Sequence, residues 1–301
     1  MRGALTRTLV LRAQEPDFVF LTGDLGFMAL EPLRDAAKER FINAGIAEQN
    51  MVSVAAGLAR TGLRPWVYSI APFVYARAFE QIRNDVCMHE LQVFLVGNGG
   101  GYAYGVMGPS HHALEDYGAM LLLPNLTAYV PAFAEDVPQA VARMIGAAGP
   151  AYLRLGRDEK PTAFAVPPYA PWRQLMSGPG PTVLVVGPLA GGIWAAVQTL
   201  PEPRRPSLWI LSELPIQQKE IPAQFCADVK RSGHLVVVEE HVAQGSAGAG
   251  LVHALLREGI TPRRFTHRFA RGYPSGYCGS QLFHRQESGL DSASILGLLT
   301  P

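Results

Sequence analysis

The sequence lacks any surplus of charge, any cluster of cysteines and any long apolar run, and each lack removes a class of function. Its 26 basic and 25 acidic side chains leave a formal net charge of +1. That balance gives no electrostatic footprint for nucleic acid or for an anionic membrane surface. Cys87, Cys226 and Cys278 stand far apart, with neither a CxxC pair nor a zinc spacing, so buried thiols in a reducing compartment are expected. No stretch approaches the roughly 20 apolar residues of a membrane span. Arg7, Arg12 and Glu15 break up the N-terminal segment before it could act as a signal sequence, and the expected location is cytoplasmic. There is no P-loop. GNGGGYAYGVMG follows an expected strand, but its glycine spacing does not fit the dinucleotide fingerprint. TGDLG at 22–26 comes nearest to a GDG motif, and it lacks the second glycine and a downstream metal-binding Asn.

What is present is a chain of 301 residues, 48% hydrophobic and 17% charged, enough for a full core and for two domains. Short β-branched or aromatic runs alternate with helical patterns, which predicts an α/β fold of two domains, each a mainly parallel sheet flanked by helices. Strands are expected at 17–23, 64–70, 91–97, 126–131 and 151–156, and helices at 46–60, 76–86 and 136–148. The proline-rich stretch 158–181 has no periodicity and reads as a linker between domains at 1–157 and 182–301. The second domain repeats the alternation, with strands at 182–187, 207–213 and 234–240 and helices near 190–200, 220–231 and 247–257. The tail over 268–289, rich in Gly, Ser and aromatics, fits no pattern.

Three features fall where a strand ends or a helix begins, the edge at which α/β sheets bind ligands. Glu48 is the lone acid of NAGIAEQN, Phe73 and Tyr75 follow a strand, and a glycine-rich loop ends in GPSHH at 108–112. Taken singly, each has a plain structural explanation. An acid in a first helical turn complements the helix dipole, aromatics behind a strand are usually core, and a loop histidine is usually a hydrogen-bonded fixture. His111 and His112 are adjacent, hence point in different directions, and no third ligand stands at metal spacing.

Their order says more. GDLG, FINAGIAEQNMVSVAAGLARTGLRP, YSIAPFVYARAFEQIRND, GVMGPSHHALED, LPNLTAYVPA and AYLRLGR, over about 20–157, resemble the pyrimidine-binding domain of transketolase-like thiamine diphosphate enzymes. VVVEEHVAQGSAG at 236–248 is similar to the C-terminal domain that follows it in that family. The resemblance implies that Glu48 hydrogen-bonds N1′ of the cofactor's aminopyrimidine, favouring the imino tautomer that removes the thiazolium C2 proton. It implies that Phe73, or Tyr75 as the alternative, stacks on the pyrimidine, that Asp24 lies near the thiazolium, and that His111 faces the substrate as a catalytic residue. His112 stands where the family has a glutamine, and Arg157 where it has a phosphate-binding arginine. Met107 and Gly99 stand where transketolases carry a substrate-reading aspartate and a histidine, so a modified sugar is expected unless His112 or Tyr104 replaces the lost contacts.

The family's full-length enzymes begin with a domain whose GDG and Asn hold magnesium and the diphosphate. The resemblance here starts at the pyrimidine domain. The implied protein is the C-terminal subunit of a split transketolase, with thiamine diphosphate and Mg2+ held mainly by an N-terminal diphosphate-binding subunit in an α2β2 heterotetramer. It would transfer a two-carbon ketol unit from a ketose to an aldose. The sequence leaves two alternatives open. One is a β subunit of a 2-oxo acid dehydrogenase or a deoxyxylulose-phosphate-synthase-like enzyme; the other is a non-catalytic α/β regulatory subunit.

Overall fold

The computed structural model describes residues 1–217 and 221–299. The first part of the chain forms α1 (Arg2–Arg12), β1 (Phe18–Thr22), α2 (Glu31–Ala37), β2 (Phe41–Asn43), α3 (Glu48–Arg60), β3 (Arg64–Ile70) and α4 (Ala71–Tyr75). It continues with α5 (Phe79–Gln81), a π-helical stretch over Ile82–Cys87, β4 (Phe94–Asn98), α6 (Asp116–Met120), β5 (Thr127–Tyr129), α7 (Val137–Gly146) and β6 (Ala151–Leu155). The second part forms β7 (Trp172–Met176), β8 (Thr182–Val186), α8 (Ala190–Val197), β9 (Ser207–Leu211), β10 (Glu213–Leu214), α9 (Ala223–Ser232) and β11 (His234–Glu239). It ends with α10 (Ala247–Arg257), β12 (Arg264–Arg268), α11 (Gln281–Ser288) and α12 (Ser292–Leu299).

Among the described residues these strands make two sheets, in the orders β10-β5-β6-β4-β3-β1-β2 and β12-β11-β8-β9-β7. Their centres are parallel, and only β10 against β5 and β7 against β9 run antiparallel. The sequence explains the parallel centres. FVFLT of β1 and TVLVV of β8 are buried at every position, as strands covered by helices on both faces must be. Met51, Val52, Ala55 and Ala56 of α3 cover Val19, Leu21 and Val67 on one face. On the other, Leu5 and Leu9 of α1, Leu33 of α2 and Val141 of α7 cover Phe20, Trp66 and Phe94. Each fully buried Leu or Val contributes about 1.5–3 kcal/mol.

Several expectations are corrected. The segment 158–181 carries β7, an edge strand whose WRQLM run contains no proline, so every amide of the strand keeps its donor. Arg173 of that strand reaches Asp136 at the start of α7 with two hydrogen bonds of 2.7 and 2.6 Å. The helix expected over 76–86 is divided into short pieces, with an earlier turn, α4, that has Pro72 in its first turn. The helix expected near 220–231 forms over Ala223–Ser232; Glu220 lies outside the described residues. The tail begins at the last residue of β12 and contains α11. Of the cysteines only Cys87 is buried, while Cys226 is half-buried and Cys278 exposed; burial pushes the Cys87 thiol up to about 12.

A buried charge network joins the two sheets. Arg154 on β6 donates to Asp116 at 2.8 Å and to the Glu240 carbonyl at 2.8 Å. The Glu240 carboxylate accepts from Arg285 at 2.7 Å and from the Tyr102 amide at 2.9 Å. Burial alone would raise the Glu240 carboxyl, yet Arg285 and these donors hold it below its ordinary range. Gly101 has φ +66°, and a Cβ there would come 2.7 Å from the Glu240 side chain, so only glycine lets the loop after β4 approach the second sheet this closely.

Candidate active site

The C-terminal ends of β1, β3, β4 and β6 gather four loops on one edge of the first sheet, the side where parallel sheets bind ligands. Glu48 opens α3 and is 2% exposed. Gly23, just past β1, leaves room beside it: a Cβ there would stand 3.7 Å from Glu48 Oε1 and 3.3 Å from the Gly45 carbonyl oxygen. Arg77 donates to Glu48 Oε2 at 2.8 Å. The same guanidinium lies 4.3 Å over the ring of Phe73. Phe73 meets His111 edge-on at 5.4 Å between centroids, and His111 lies 5.7 Å from Tyr104. Glu48, Phe73 and His111, distant in sequence, thus form one continuous cluster.

The remaining candidates are placed differently. Asp24, exposed with φ +54°, is locked to Asn43 by bonds of 2.9 and 3.1 Å and flanks the cluster through Gly23. Met107 is 54% exposed on the Gly105–Met107 turn. Arg157 is exposed just beyond β6, on the same edge, and makes no hydrogen bond or ion pair to Glu48 or His111 among the described residues. Two expectations are corrected here. Tyr75 is turned into the core, where its hydroxyl donates to Glu115 at 3.0 Å, so it offers no ring face beside Phe73. His112 is buried, with Nδ1 on the Tyr273 hydroxyl at 2.7 Å and Nε2 on the Gly105 carbonyl at 2.8 Å. Both nitrogens are occupied by protein, so the ring faces the second domain and not the open edge.

Arg77 is a member of the cluster that the sequence reading does not single out. It lies in the turn between α4 and α5, where no helical periodicity in the sequence points to it. Tyr104 fills the space that a side chain at Gly99 would need, and its hydroxyl accepts from Asn98 at 2.8 Å. Among the described residues no three His, Cys, Asp or Glu side chains converge as a metal site, and no helix is long and apolar enough to cross a membrane.

The fold and this edge define a two-domain α/β protein that presents a buried acid, an aromatic face and a histidine together at the ends of parallel strands. Residues 1–162 match the family model for the transketolase pyrimidine binding domain, and the chain belongs to the transketolase family. It is 30% identical over 268 residues to the B chain of the apulose-4-phosphate transketolase of Actinobacillus succinogenes, covering 86% of this chain and 84% of that protein. It is 33% identical over 302 residues to 1-deoxy-D-xylulose-5-phosphate synthase 2 of Geobacter sulfurreducens, covering 97% of this chain and 45% of the synthase. The chain therefore spans less than half of the synthase and most of the apulose-4-phosphate transketolase chain. Among solved structures, a split gene transketolase, an inactive β4 tetramer, superposes with a TM-score of 0.81 at 28% identity, covering 99% of this chain and 96% of that one.

Proposed function

We propose that this chain is the pyrimidine-side subunit of a split transketolase, transferring a two-carbon ketol unit between sugar phosphates with a separate diphosphate-binding chain. The observation that carries the reading is the joining of Glu48, Phe73 and His111 into one cluster at the sheet edge. The donor set fits the aminopyrimidine half of thiamine diphosphate: a buried carboxylate suited to a protonated ring nitrogen, and an aromatic face reached by the same guanidinium that pairs with that carboxylate. When bound, the cofactor would supply the carbanion that attacks the ketone. Glu48 would hold a proton at the ring nitrogen, Phe73 would pack on the ring for about 0.5–1.5 kcal/mol beyond its buried area, and Asp24 would flank the thiazolium side. His111 would hydrogen-bond substrate hydroxyls or the developing alkoxide. Arg157 and the partner would hold any phosphate, with magnesium on the partner in an α2β2 assembly.

Similarity over most of the apulose-4-phosphate transketolase chain favours the transketolase reading over that of a synthase, of which this chain matches less than half. The substrate would depart from the standard pentose phosphates. Met107 offers an adaptable apolar wall where the family has an aspartate, and losing a charge-assisted contact weakens selection for a hydroxyl about ten- to hundredfold. Apulose 4-phosphate, for which that relative is named, is a substrate to try first. The test is reconstitution with a diphosphate-binding chain. Calorimetry should find negligible thiamine diphosphate binding to this chain alone and tight binding to the complex, with ketol transfer following. Xylulose 5-phosphate and ribose 5-phosphate turning over at kcat/KM of about 10⁴–10⁸ M⁻¹s⁻¹ would refute the modified substrate.

A further inference from the structure

The segment between β12 and α11 has no regular structure over 271–280, yet it is fastened to the turn that carries His111. The Tyr102 hydroxyl donates to the Gly272 carbonyl at 2.8 Å. The Tyr273 ring stacks on His112 at 5.7 Å and 13°. A Cβ on Gly108 would stand 3.2 Å from Cys278 Sγ, and one on Gly105 would stand 3.1 Å from the Gln281 amide. The second domain thus forms the floor beneath Gly105–His112.

The hydrogen bonds in this floor have a direction. The Gly105 carbonyl can only accept, so His112 Nε2 carries the proton of the neutral ring and Nδ1 accepts from the Tyr273 hydroxyl. The same carbonyl accepts from the Gly108 amide at 3.1 Å, closing the turn, and the Gly108 carbonyl accepts from the His111 amide at 3.0 Å. The relay therefore runs from Tyr273 through His112 and Gly105 to the backbone of His111. Burial keeps His112 below its ordinary range, in keeping with a ring that uses one donor and one acceptor.

We propose that Tyr273, acting through His112, is a positioning residue for His111, so that the second domain sets the geometry of the turn with which the first domain meets its substrate. The catalytic consequence rests on the substrate-facing assignment of His111 made above. Without the Tyr273 hydroxyl, buried Nδ1 loses its donor; the Gly105 carbonyl still keeps the proton on Nε2, but the ring is then held at one end only and can turn, which loosens the Nε2 bond that fixes the Gly105 carbonyl.

Tyr273→Phe removes the hydroxyl and keeps the stacked ring. In full-length protein labelled with ¹⁵N-histidine, the ring signals of His111 and His112 should shift or broaden while those of His234 and His253 stay in place. In the reconstituted complex, kcat for ketol transfer should fall about three- to tenfold with thiamine diphosphate affinity unchanged, the size expected from one hydrogen bond. Tyr102→Phe is the control: it deletes another tie of the same segment, at Gly272, but leaves both ring bonds of His112 in place, and should lower the melting temperature without moving the His111 signals. Unmoved His111 signals in Tyr273→Phe would overturn the proposal, as would moved signals with unchanged kcat. The resonance test needs neither cofactor nor partner. A wild-type complex inactive in ketol transfer, with the His111 signals still coupled to Tyr273, counts against the functional reading alone and leaves the coupling supported.

Discussion

Replacing Arg77 by methionine should tighten thiamine diphosphate binding to the reconstituted complex by about tenfold, while lowering the melting temperature of the cofactor-free protein. The guanidinium pairs with Glu48 and covers Phe73, the two groups proposed to receive the pyrimidine, so the ring must displace it. A hydrogen bond to a charged group contributes about 1.5–3 kcal/mol. The Arg77 side chain is 43% exposed beside a carboxylate at 2%, and solvent screening reduces the pair to about 1–2 kcal/mol. The contact over Phe73 adds about 0.5–1 kcal/mol. Displacement therefore costs on the order of 2 kcal/mol, and a factor of ten in affinity corresponds to about 1.4 kcal/mol.

Methionine keeps most of the stem volume and removes both contacts. It leaves the Glu48 carboxylate without its counter-ion in the empty protein, which the cofactor would relieve, so the melting temperature gained on adding cofactor should be larger in the variant. Arg77→Lys restores the charge without the planar fork and should fall between the two. Calorimetry of the complex together with melting curves measures both effects. Binding weakened tenfold in Arg77→Met would show that the arginine holds the ligand and does not compete with it, and the reasoning from displacement would fail.

Three further outcomes are expected. Glu48→Gln should assemble normally and slow C2 proton exchange of the bound cofactor by orders of magnitude, followed by NMR; unchanged exchange would reduce Glu48 to a helix-dipole acid. Arg154→Met strands the Asp116 carboxylate and the Glu240 main-chain carbonyl in the seam between the sheets and should cost about 3–5 kcal/mol in denaturant unfolding, with a loss below about 1 kcal/mol arguing that the network is dispensable. Burial, the first cause in each case, holds His112 and His241 below the ordinary histidine value of 6.5. The unfolded chain then takes up protons that the folded rings refuse, so their contribution is complete above 6.5 and is lost as pH falls through the folded values. The melting temperature should decline on acidification below about pH 6.5, and His112→Gln should flatten part of that decline.

The parallel centres of both sheets were legible because a strand covered on two faces is a continuous apolar run, as in FVFLT and TVLVV. Elements at the margins were not. The Leu5, Leu9, Ala13 spacing of α1 is diluted by Arg2, Arg7 and Arg12, and β7 hides among prolines because an edge strand tolerates neighbours that a central strand would not. The cluster was legible in part. Glu48 stood out as a lone acid in a small-residue stretch, whereas the role of Arg77 depends on where the short helix α4 ends, and helix boundaries are what periodicity fixes least.

The two histidines of GPSHH make the limit physical. Adjacent side chains diverge, so one had to face the open edge and the other the protein, but nothing within a few residues of the pair decides which. The deciding groups are the Gly105 carbonyl, seven residues before His112, and the Tyr273 hydroxyl, 161 residues after it. His112 is drawn inward because that pocket offers one acceptor and one donor at the separation of an imidazole's two nitrogens, and His111 is left half-exposed against Phe73. A side chain with a single polar end, such as serine at 112, would satisfy only one of those partners and leave the other buried and unpaired, at a cost of about 1–3 kcal/mol. The identity of residue 112 is therefore set jointly by the Gly105 carbonyl of its own loop and by a hydroxyl of the second domain.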